Sequence, residues 1–547
     1  MISFDGLDEN FTFLILEVTN HLNETFTFLE NPKSSTYDKI IDRDDYIDNL
    51  KNVIENKCFS TIHGDRVLSK AEVDRIRVIH LIAVNLERIA DYCVNIVRQM
   101  KYLSEPRFLT QFDYGNSQEL ITGSIEAISS VLLNKDLSGA LDICRAENWL
   151  DQMYKTNFDR IMVQMRIGRE VENNITSLFI FRYLERIGDS LLNVGEALLF
   201  AIIGEKIKIN QFQALQQTLE GSGMHGSVSD INFQGIWGSR SGCRIGRVDD
   251  KDENAPQAQA SIFKEGSRKK ILQEKINIEC WDTISPGLVP KIFSYHEEDD
   301  KASMLAEFLP GCTMDETILT ADMDTVENAF FVMTETVEGL WCATRTDSPL
   351  KTDYMRQIRD RMSGVQQVHP QFSRPEQHVG STRVSSFLEL LDRCQNLEED
   401  CPAPFAIFIH GDFNSNNVVY NHVDERIYLI DVYRSRNSDY VQDVSVFLVS
   451  NFRAPVFDPP LRDRLNLIIS KFLRFAYDFA DRQGDRTFAF RLTLALARSF
   501  YTSTRFELDP LFAREMYMRA IYLMEKIAGH KGRPLEEFIL PEHILHY

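Results

Sequence analysis

One ten-residue pattern occurs twice in this chain. Leu86-Glu87-Arg88-Ile89-Ala90-Asp91, closed by Asn95, returns as Leu184-Glu185-Arg186-Ile187-Gly188-Asp189, closed by Asn193. Six of the ten positions are identical, at an offset of 98 residues. A duplication constrains the fold before any element is assigned, because each copy must form the same unit. Both copies sit in stretches with apolar residues at helical spacing, Ile76–Met100 and Ile161–Ile203, and glycine and proline are sparse through residues 1–210. An acidic helical segment precedes each copy, ending in Asp48-Asn49-Leu50 in the first and Asp151-Gln152-Met153 in the second. The pattern predicts two similar three-helix bundles, about residues 8–105 and 115–205.

Within each copy Glu, Asp and Asn stand at i, i+4 and i+8, so they share one helix face. Like charges at that spacing repel by roughly 0.2–0.5 kcal/mol when exposed, and by more when buried. A hard cation held by oxygen ligands would offset the repulsion. Neutralisation by Arg88 and Arg186, or plain solvation, would do so as well. Both explanations stay open on the residues alone.

LERIADYCVN and LERIGDSLLN resemble the paired signature of the PhoU family, which regulates bacterial phosphate uptake. The resemblance covers roughly residues 8–205 and includes the acidic segment DRDDYIDNLKNVIENKC. It implies tandem three-helix bundles and metal sites built from Glu87, Asp91, Glu185 and Asp189, holding iron or another hard cation. The expected partners are a phosphate-transport or signalling protein and a second copy of the chain. This sequence departs from the family pattern at Ala90, where glycine is usual, and at Tyr92 and Ser190, where histidine is frequent.

The sequence changes character between Glu220 and Gly242, where Gly221, Gly223, Gly226, Gly235, Gly238 and Gly242 crowd together. Short β-like runs follow at Cys243–Val248, Gln259–Phe263, Val289–Tyr295, Met304–Phe308, Phe405–Ile409 and Arg426–Val432. Helical periodicity returns from about Leu461. The expected division is an all-α domain over 1–210, a linker over 211–234 and an α+β domain over 235–547.

The densest chemical signal is Ile409-His410-Gly411-Asp412-Phe413-Asn414-Ser415-Asn416-Asn417, followed by Leu429-Ile430-Asp431. Phosphoryl transfer needs this inventory: a carboxylate for the proton of the attacking hydroxyl, then an amide and a second carboxylate for Mg²⁺. HGDxxxxN followed by an IxD strand resembles the aminoglycoside phosphotransferase and choline kinase group, small-molecule kinases with a bilobal protein-kinase-like fold. That resemblance implies Asp412 as base, Asn417 and Asp431 as magnesium ligands, His410 as support for the loop, and a structural Asp443. It places an N-lobe at about 235–312 and a C-lobe at 313–547. ATP and a small-molecule acceptor are the expected substrates.

An N-lobe requires a glycine-rich turn, a strand lysine and a helix glutamate. Lys264 ends the run Ser261-Ile262-Phe263, and Glu274 opens EKINIECW ten residues on; Glu279 competes with it. Spacing favours Gly238–Gly242, with Arg240 and Ser241 at its tip, over Gly221–Gly226 as the glycine turn. Glu307 and Phe308, before Leu309-Pro310-Gly311, are expected where backbone meets adenine.

Charge narrows the partners. Lys and Arg number 60 against 81 Asp and Glu, a net charge of −21. That argues against a nucleic-acid binder and against docking on an anionic membrane. The longest apolar run, Ala197–Gly204, is far short of the ~20 residues a bilayer requires. MISFDGLDEN lacks the basic start of a targeting peptide, and nine scattered cysteines without a CxxC read as reduced thiols, so a cytoplasmic location is expected. The functional expectation is an ATP-dependent kinase of a small hydroxylated molecule, fused to a PhoU-like regulatory module. The alternative is a non-catalytic, nucleotide-binding regulator of phosphate uptake or signalling.

Overall fold

The apolar periodicity of the front half becomes six long helices: α1 (Leu7–Glu30), α2 (Ser34–Ile62), α3 (Lys70–Gln99), α4 (Ser117–Asn134), α5 (Leu137–Arg166) and α6 (Val171–Ile203). The computed structural model describes residues 6–64, 68–205, 207–222, 231–235, 243–250 and 260–547. Helix α3 starts at a capping box: the Ser69 hydroxyl accepts the Glu72 N–H, and the Glu72 carboxylate accepts the Ser69 N–H. Helix α5 starts where the Asp136 side chain accepts the Gly139 N–H at 3.1 Å. Helices α1 to α3 pack on one another, α4 to α6 do the same, and α3 lies against α6. One continuous core runs through both bundles, with Ile89 and Ile187 of the repeated motif wholly buried in it. At Gly195 helices α5 and α6 approach closely; a Cβ there would lie 3.0 Å from the Cys144 amide nitrogen and 3.1 Å from the Ala140 carbonyl oxygen.

The rest of the chain alternates elements. Helix α7 (Ile209–Ser222) occupies the first part of the stretch expected to be a linker and begins two residues before it; Phe212, Leu215 and Leu219 give it a buried stripe. Strands β1 (Ile231–Gly235), β2 (Arg244–Asp250) and β3 (Ser261–Ser267) follow, then α8 (Arg268–Ile284), β4 (Ile292–Glu298), β5 (Lys301–Glu307) and β6 (Cys312–Thr313). Helices α9 (Met314–Thr320), α10 (Met323–Thr344) and α11 (Tyr354–Val368) lead to the hairpin β7 (Gln377–Val379) and β8 (Thr382–Val384), and then to α12 (Phe387–Glu399). Next come β9 (Ile407–Ile409), β10 (Val418–Asn421), β11 (Arg426–Leu429) and β12 (Arg436–Ser438). Helices α13 (Val441–Phe452), α14 (Pro459–Arg482), α15 (Phe488–Ser503) and α16 (Pro510–Gly529) complete the chain.

The chain divides into two compact units, Met1–Glu265 with Ser294–His296, and Gly266–Phe293 with Glu297–Tyr547. In the first, β1 pairs antiparallel with β2 and β2 with β3, setting Ile245 opposite Lys264. Helix α7 is tied to β3 and to the Ser294–His296 part of β4: Gln211 Nε2 donates to Glu265 Oε2 at 3.1 Å, and the Ser294 hydroxyl donates to the Thr218 carbonyl at 2.5 Å. In the second unit, β10 lies between β11 and β6, and β9 pairs with β12. An aromatic core sits beneath them, with Phe447 and Phe472 centroids 4.2 Å apart and Trp341 5.1 Å from Tyr440. The fold is therefore an all-α pair of three-helix bundles followed by an α+β part. Among the described residues no helix is long and apolar enough to cross a membrane, and no disulfide joins any of the nine cysteines.

Candidate active site

Strand β9 ends at Ile409, and His410–Asn417 wraps back from it into β10 as a loop whose bends are held by backbone bonds. Gly411 takes φ +81°, and a Cβ on it would collide with the Arg434 carbonyl, so only glycine fits. Asp443, near the start of α13, holds the bend: its carboxylate accepts the N–H of His410 at 2.7 Å and of Gly411 at 2.8 Å. Gln442 Nε2 donates to the Gly411 carbonyl at 3.0 Å, and the Ser435 hydroxyl to the His410 carbonyl at 3.1 Å. Phe413 anchors the loop below, its ring 5.7 Å from that of Phe447.

His410 is wholly enclosed, and burial pushes its pKa below the usual histidine value, with the charges of Asp412 and Asp431 opposing. Nε2 is 3.0 Å from the Ile430 carbonyl and Nδ1 lies 3.3 Å from the Asp412 N–H, which assigns the proton to Nε2. Both nitrogens serve the backbone, so His410 is a positioning residue. Burial also pushes the Asp443 carboxyl up to about 7, against the pull of the two N–H groups that it accepts.

Asp412 is 19% exposed. Its Oδ1 accepts from Asn414 Nδ2 at 2.8 Å, and its Oδ2 pairs with Arg434 Nη1 at 2.9 Å. Asn417 Nδ2 donates to the Asp412 carbonyl at 2.9 Å, leaving the amide oxygen as an acceptor. The Ile430 N–H donates to the Asn417 carbonyl at 3.1 Å, which sets Asp431 beside Asn417. Asp431 has φ +60°, a left-handed conformation that Asp tolerates better than most residues. One loop and one strand end thus bring Asp412, Asn417 and Asp431 together. An amide oxygen beside a carboxylate is a donor set suited to Mg²⁺.

The remaining candidate residues are distributed as follows. Lys264 is buried on β3 in the first unit, and Glu274 is buried on α8 in the second. Its competitor Glu279 is 59% exposed and paired with Lys275 at 2.7 Å. Helix α8 is locked to the loop region by Asn277 Nδ2, which donates to the Val432 carbonyl at 2.8 Å, and by Trp281 Nε1, which donates to the Ser435 hydroxyl at 2.8 Å. Glu307 ends β5, its N–H bonded to the Lys291 carbonyl at 2.8 Å, with Phe308 next to it. Gly238, Arg240, Ser241 and Gly242 lie outside the described residues.

In the helical half, each repeated acid pair faces acids of the preceding helix. Burial and then Asp91 push the Glu87 carboxyl up, and burial and then Asp48 push Asp91 up. Asp44 of α2 reaches about 6 through burial, Asp91 and Asp45. Burial and then Asp189 raise Glu185, and burial and then Asp151 raise Glu147. Cations also sit against them: Lys51 is 3.8 Å from Glu87, Arg182 2.6 Å from Glu185 and Arg186 3.0 Å from Asp189. Of these three, only Arg186 belongs to the repeated motif. Among the described residues no three or more His, Cys, Asp or Glu side chains gather as a metal site.

Sequence reading missed a second layer around the loop. Arg434, Gln442 and Ser435 hold it, and a wholly buried set stands behind it. Arg491 pairs with both Asp439 and Asp485, while the Tyr354 hydroxyl donates to Asp439 at 3.0 Å and that of Tyr440 to Asp485 at 2.8 Å. Only the run Ser435–Asp443 gave a local hint, through its density of polar residues in apolar surroundings.

The description "PhoU domain" matches residues 14–100 and 118–198, and "Ecdysteroid kinase-like family" matches residues 331–466, which contain the whole His410–Asp431 segment. A phosphate-specific transport system accessory protein PhoU homolog of Clostridium acetobutylicum is 28% identical over 184 residues, 33% of this chain and 84% of that protein. The crystal structure of the phosphate transport system regulatory protein PhoU from Streptococcus pneumoniae matches with a TM-score of 0.34 at 21% identity, covering 38% of this chain and 100% of that one. That of an aminoglycoside-3'-phosphotransferase of type VIII matches with a TM-score of 0.30 at 16% identity, covering 46% and 93%. The chain therefore carries a PhoU domain in its N-terminal half and an ecdysteroid kinase-like domain in its C-terminal half.

Proposed function

We propose that the C-terminal half, about residues 235–547, is an ATP-dependent phosphotransferase acting on the hydroxyl of a small molecule, regulated by the PhoU half. The observation that carries this reading is the convergence of Asp412, Asn417 and Asp431 on one loop and strand end. Asp412 takes the proton of the acceptor hydroxyl. The freed oxygen forms the new bond to the γ-phosphorus while the bond to the β,γ-bridging oxygen breaks, releasing ADP. His410 and Asp443 hold the base in register. Arg434 and Asn414 orient its two oxygens, each of which keeps a further acceptor position for the incoming hydroxyl. Asn417 and Asp431 would hold Mg²⁺, which neutralises charge on the nucleotide phosphates. Lys264 and Glu274 are the candidate residues for contact with the nucleotide phosphates, Gly238–Gly242 with Arg240 and Ser241 the candidate glycine turn, and Glu307–Phe308 the candidate strand end for adenine.

In the PhoU half, Glu87, Asp91, Glu185 and Asp189 are candidate ligands of a hard cation such as iron, and the partner is a phosphate-transport or signalling protein. The engagement of both Asp412 oxygens favours a second reading, in which the kinase-like half binds nucleotide as a signal without transferring phosphate.

The test uses the full chain and its Asp412→Asn variant with Mg²⁺-ATP and a pool of metabolites, read by mass spectrometry. A phosphorylated product from the wild type alone supports the kinase; Mg²⁺-dependent ATP binding with no product from either supports the signalling reading.

A further inference from the structure

Three arginines of the second unit are buried to nine-tenths or more, and two of them are fully accounted for. Arg491 pairs with Asp439 and Asp485. Arg462 donates to the carbonyls of Phe452 at 2.9 Å, Ala454 at 2.7 Å and Val456 at 3.0 Å. Arg498 differs. It lies two turns after Arg491 on α15, is 8% exposed, and has its guanidinium 5.7 Å from the Tyr354 ring centre. Nη1 reaches only the Ser499 hydroxyl, at 3.2 Å, and among the described residues Nε and Nη2 have no hydrogen-bond partner. Buried polar groups are nearly always satisfied, and a buried cation without a counter-ion is strongly disfavoured.

Arg498 has like-charged company. Arg505, on the turn Thr504–Phe506, also has a buried Nε without a partner among the described residues. That turn packs against α11, which carries Arg361, and Arg434 reaches Asp412 nearby. Burial lowers the pKa of Arg498 and of Arg505; the charges of Arg434 and Arg436 press further on the first, and those of Arg361 and Arg434 on the second. Asp412 is the carboxylate common to both, and it already holds Arg434. The surroundings of Asp412 are thus over-supplied with guanidinium groups, two of them with donors left over.

We propose that this cluster is the acceptor subsite and that the phosphoryl acceptor is a hydroxylated small molecule bearing an anionic group, a carboxylate or a phosphate ester. The proposal rests on the phosphotransferase reading above. The planar guanidinium of Arg498 offers two adjacent donors, the fork that matches carboxylate and phosphate oxygens. The acceptor's anion supplies the missing counter-charge and holds its hydroxyl toward Asp412. A cationic amino alcohol or aminosugar would meet like charge there.

The test titrates the full chain, loaded with Mg²⁺ and a non-hydrolysable ATP analogue, with matched compounds by calorimetry. The panel is glycerol, glycerate and glycerol 3-phosphate, glucose, gluconate and glucose 6-phosphate, with choline and kanamycin as cations. The expected result is that an anionic member binds at least tenfold tighter than its neutral parent, the carboxylate and phosphate arms showing which anion is preferred. Arg498→Gln should weaken that binding about ten- to a hundredfold and leave affinity for the ATP analogue unchanged, with Arg498→Lys recovering part. Where Arg498→Gln lowers thermal stability, Arg505→Gln should weaken the same ligand in the same direction. Neutral or cationic compounds binding as tightly as the anions would overturn the proposal, as would a loss confined to the ATP analogue. Turnover of a neutral acceptor that needs Asp412 would refute the subsite and keep the kinase; anion binding without Asp412-dependent turnover would do the reverse.

Discussion

The two halves handle buried and half-buried carboxylates in opposite ways. In the helical half, acids repeat along helix faces, meet further acids from the neighbouring helix, and are balanced by single cations such as Lys51 and Arg182. In the kinase-like half, Asp443 and Asp439 are fully enclosed, and backbone N–H groups or a shared arginine neutralise them. An acid on a helix face can be lost with little structural consequence, because solvent reaches it. An acid that shapes a loop cannot, because its partners are left buried and unpaired. The difference separates charges retained for what they bind from charges retained for what they hold in place.

The largest expected effect is on chemistry. Asp412→Asn should lower phosphoryl transfer about a hundred- to ten-thousandfold while thermal melting stays near that of the wild type. A melting shift as large as the activity loss would make Asp412 another loop-holding acid and break the contrast. Next is Arg491→Ala, which leaves Asp439 and Asp485 enclosed without their cation. It should cost about 3–5 kcal/mol, read as loss of the second unit's urea transition with the helical transition intact.

How much of this was legible in sequence depends on where a residue's partners lie. The 98-residue duplication and its helical spacing pointed to two bundles because helix periodicity is local. HGDxxxxN pointed to the loop because Asp412, Asn414 and Asn417 bond to one another within six residues. The partners that finish the site come from farther along the chain: Arg434 from the turn between β11 and β12, Arg491 and Arg498 from α15. Nothing around Arg498 distinguishes it from Arg491, since burial and the lack of a counter-ion are tertiary properties. Strands β6 and β12 are two and three residues long, too short for any alternation to show.

The third prediction tests whether enclosure alone can matter in the helical half. His21 is wholly buried; burial lowers its pKa from 6.5 to about 4, with its Nε2 3.2 Å from the Ala90 carbonyl. Below pH ~6.5 the unfolded chain takes up a proton that the folded one refuses, so stability present above that pH is lost as the pH falls toward 4. The difference between wild type and His21→Gln in unfolding free energy, from urea titrations, should shift by up to about 3 kcal/mol across that window; a flat difference would place His21 among the solvated groups. The smallest effect concerns Glu87, whose carboxyl is raised by burial and by Asp91. Glu87→Gln should stabilise the metal-free chain by about 0.5 kcal/mol or less. If it also reduces bound iron in elemental analysis, the acid is kept for a cation.

One tie within the first unit reaches beyond packing. Strand β3, with Lys264, is clustered with the PhoU helices, and Glu265 next to that lysine accepts a hydrogen bond from Gln211 of α7, whose Ile209 N–H donates to Glu196 of α6 at 3.2 Å. A chain of two hydrogen bonds and one helix therefore leads from the second repeat to the residue beside the lysine. A ligand that binds the bundles only while that strand is docked adds its binding free energy to what is needed to detach it. Slower amide hydrogen exchange over 261–267 on adding the ligand would reveal the coupling, and unchanged exchange would sever it.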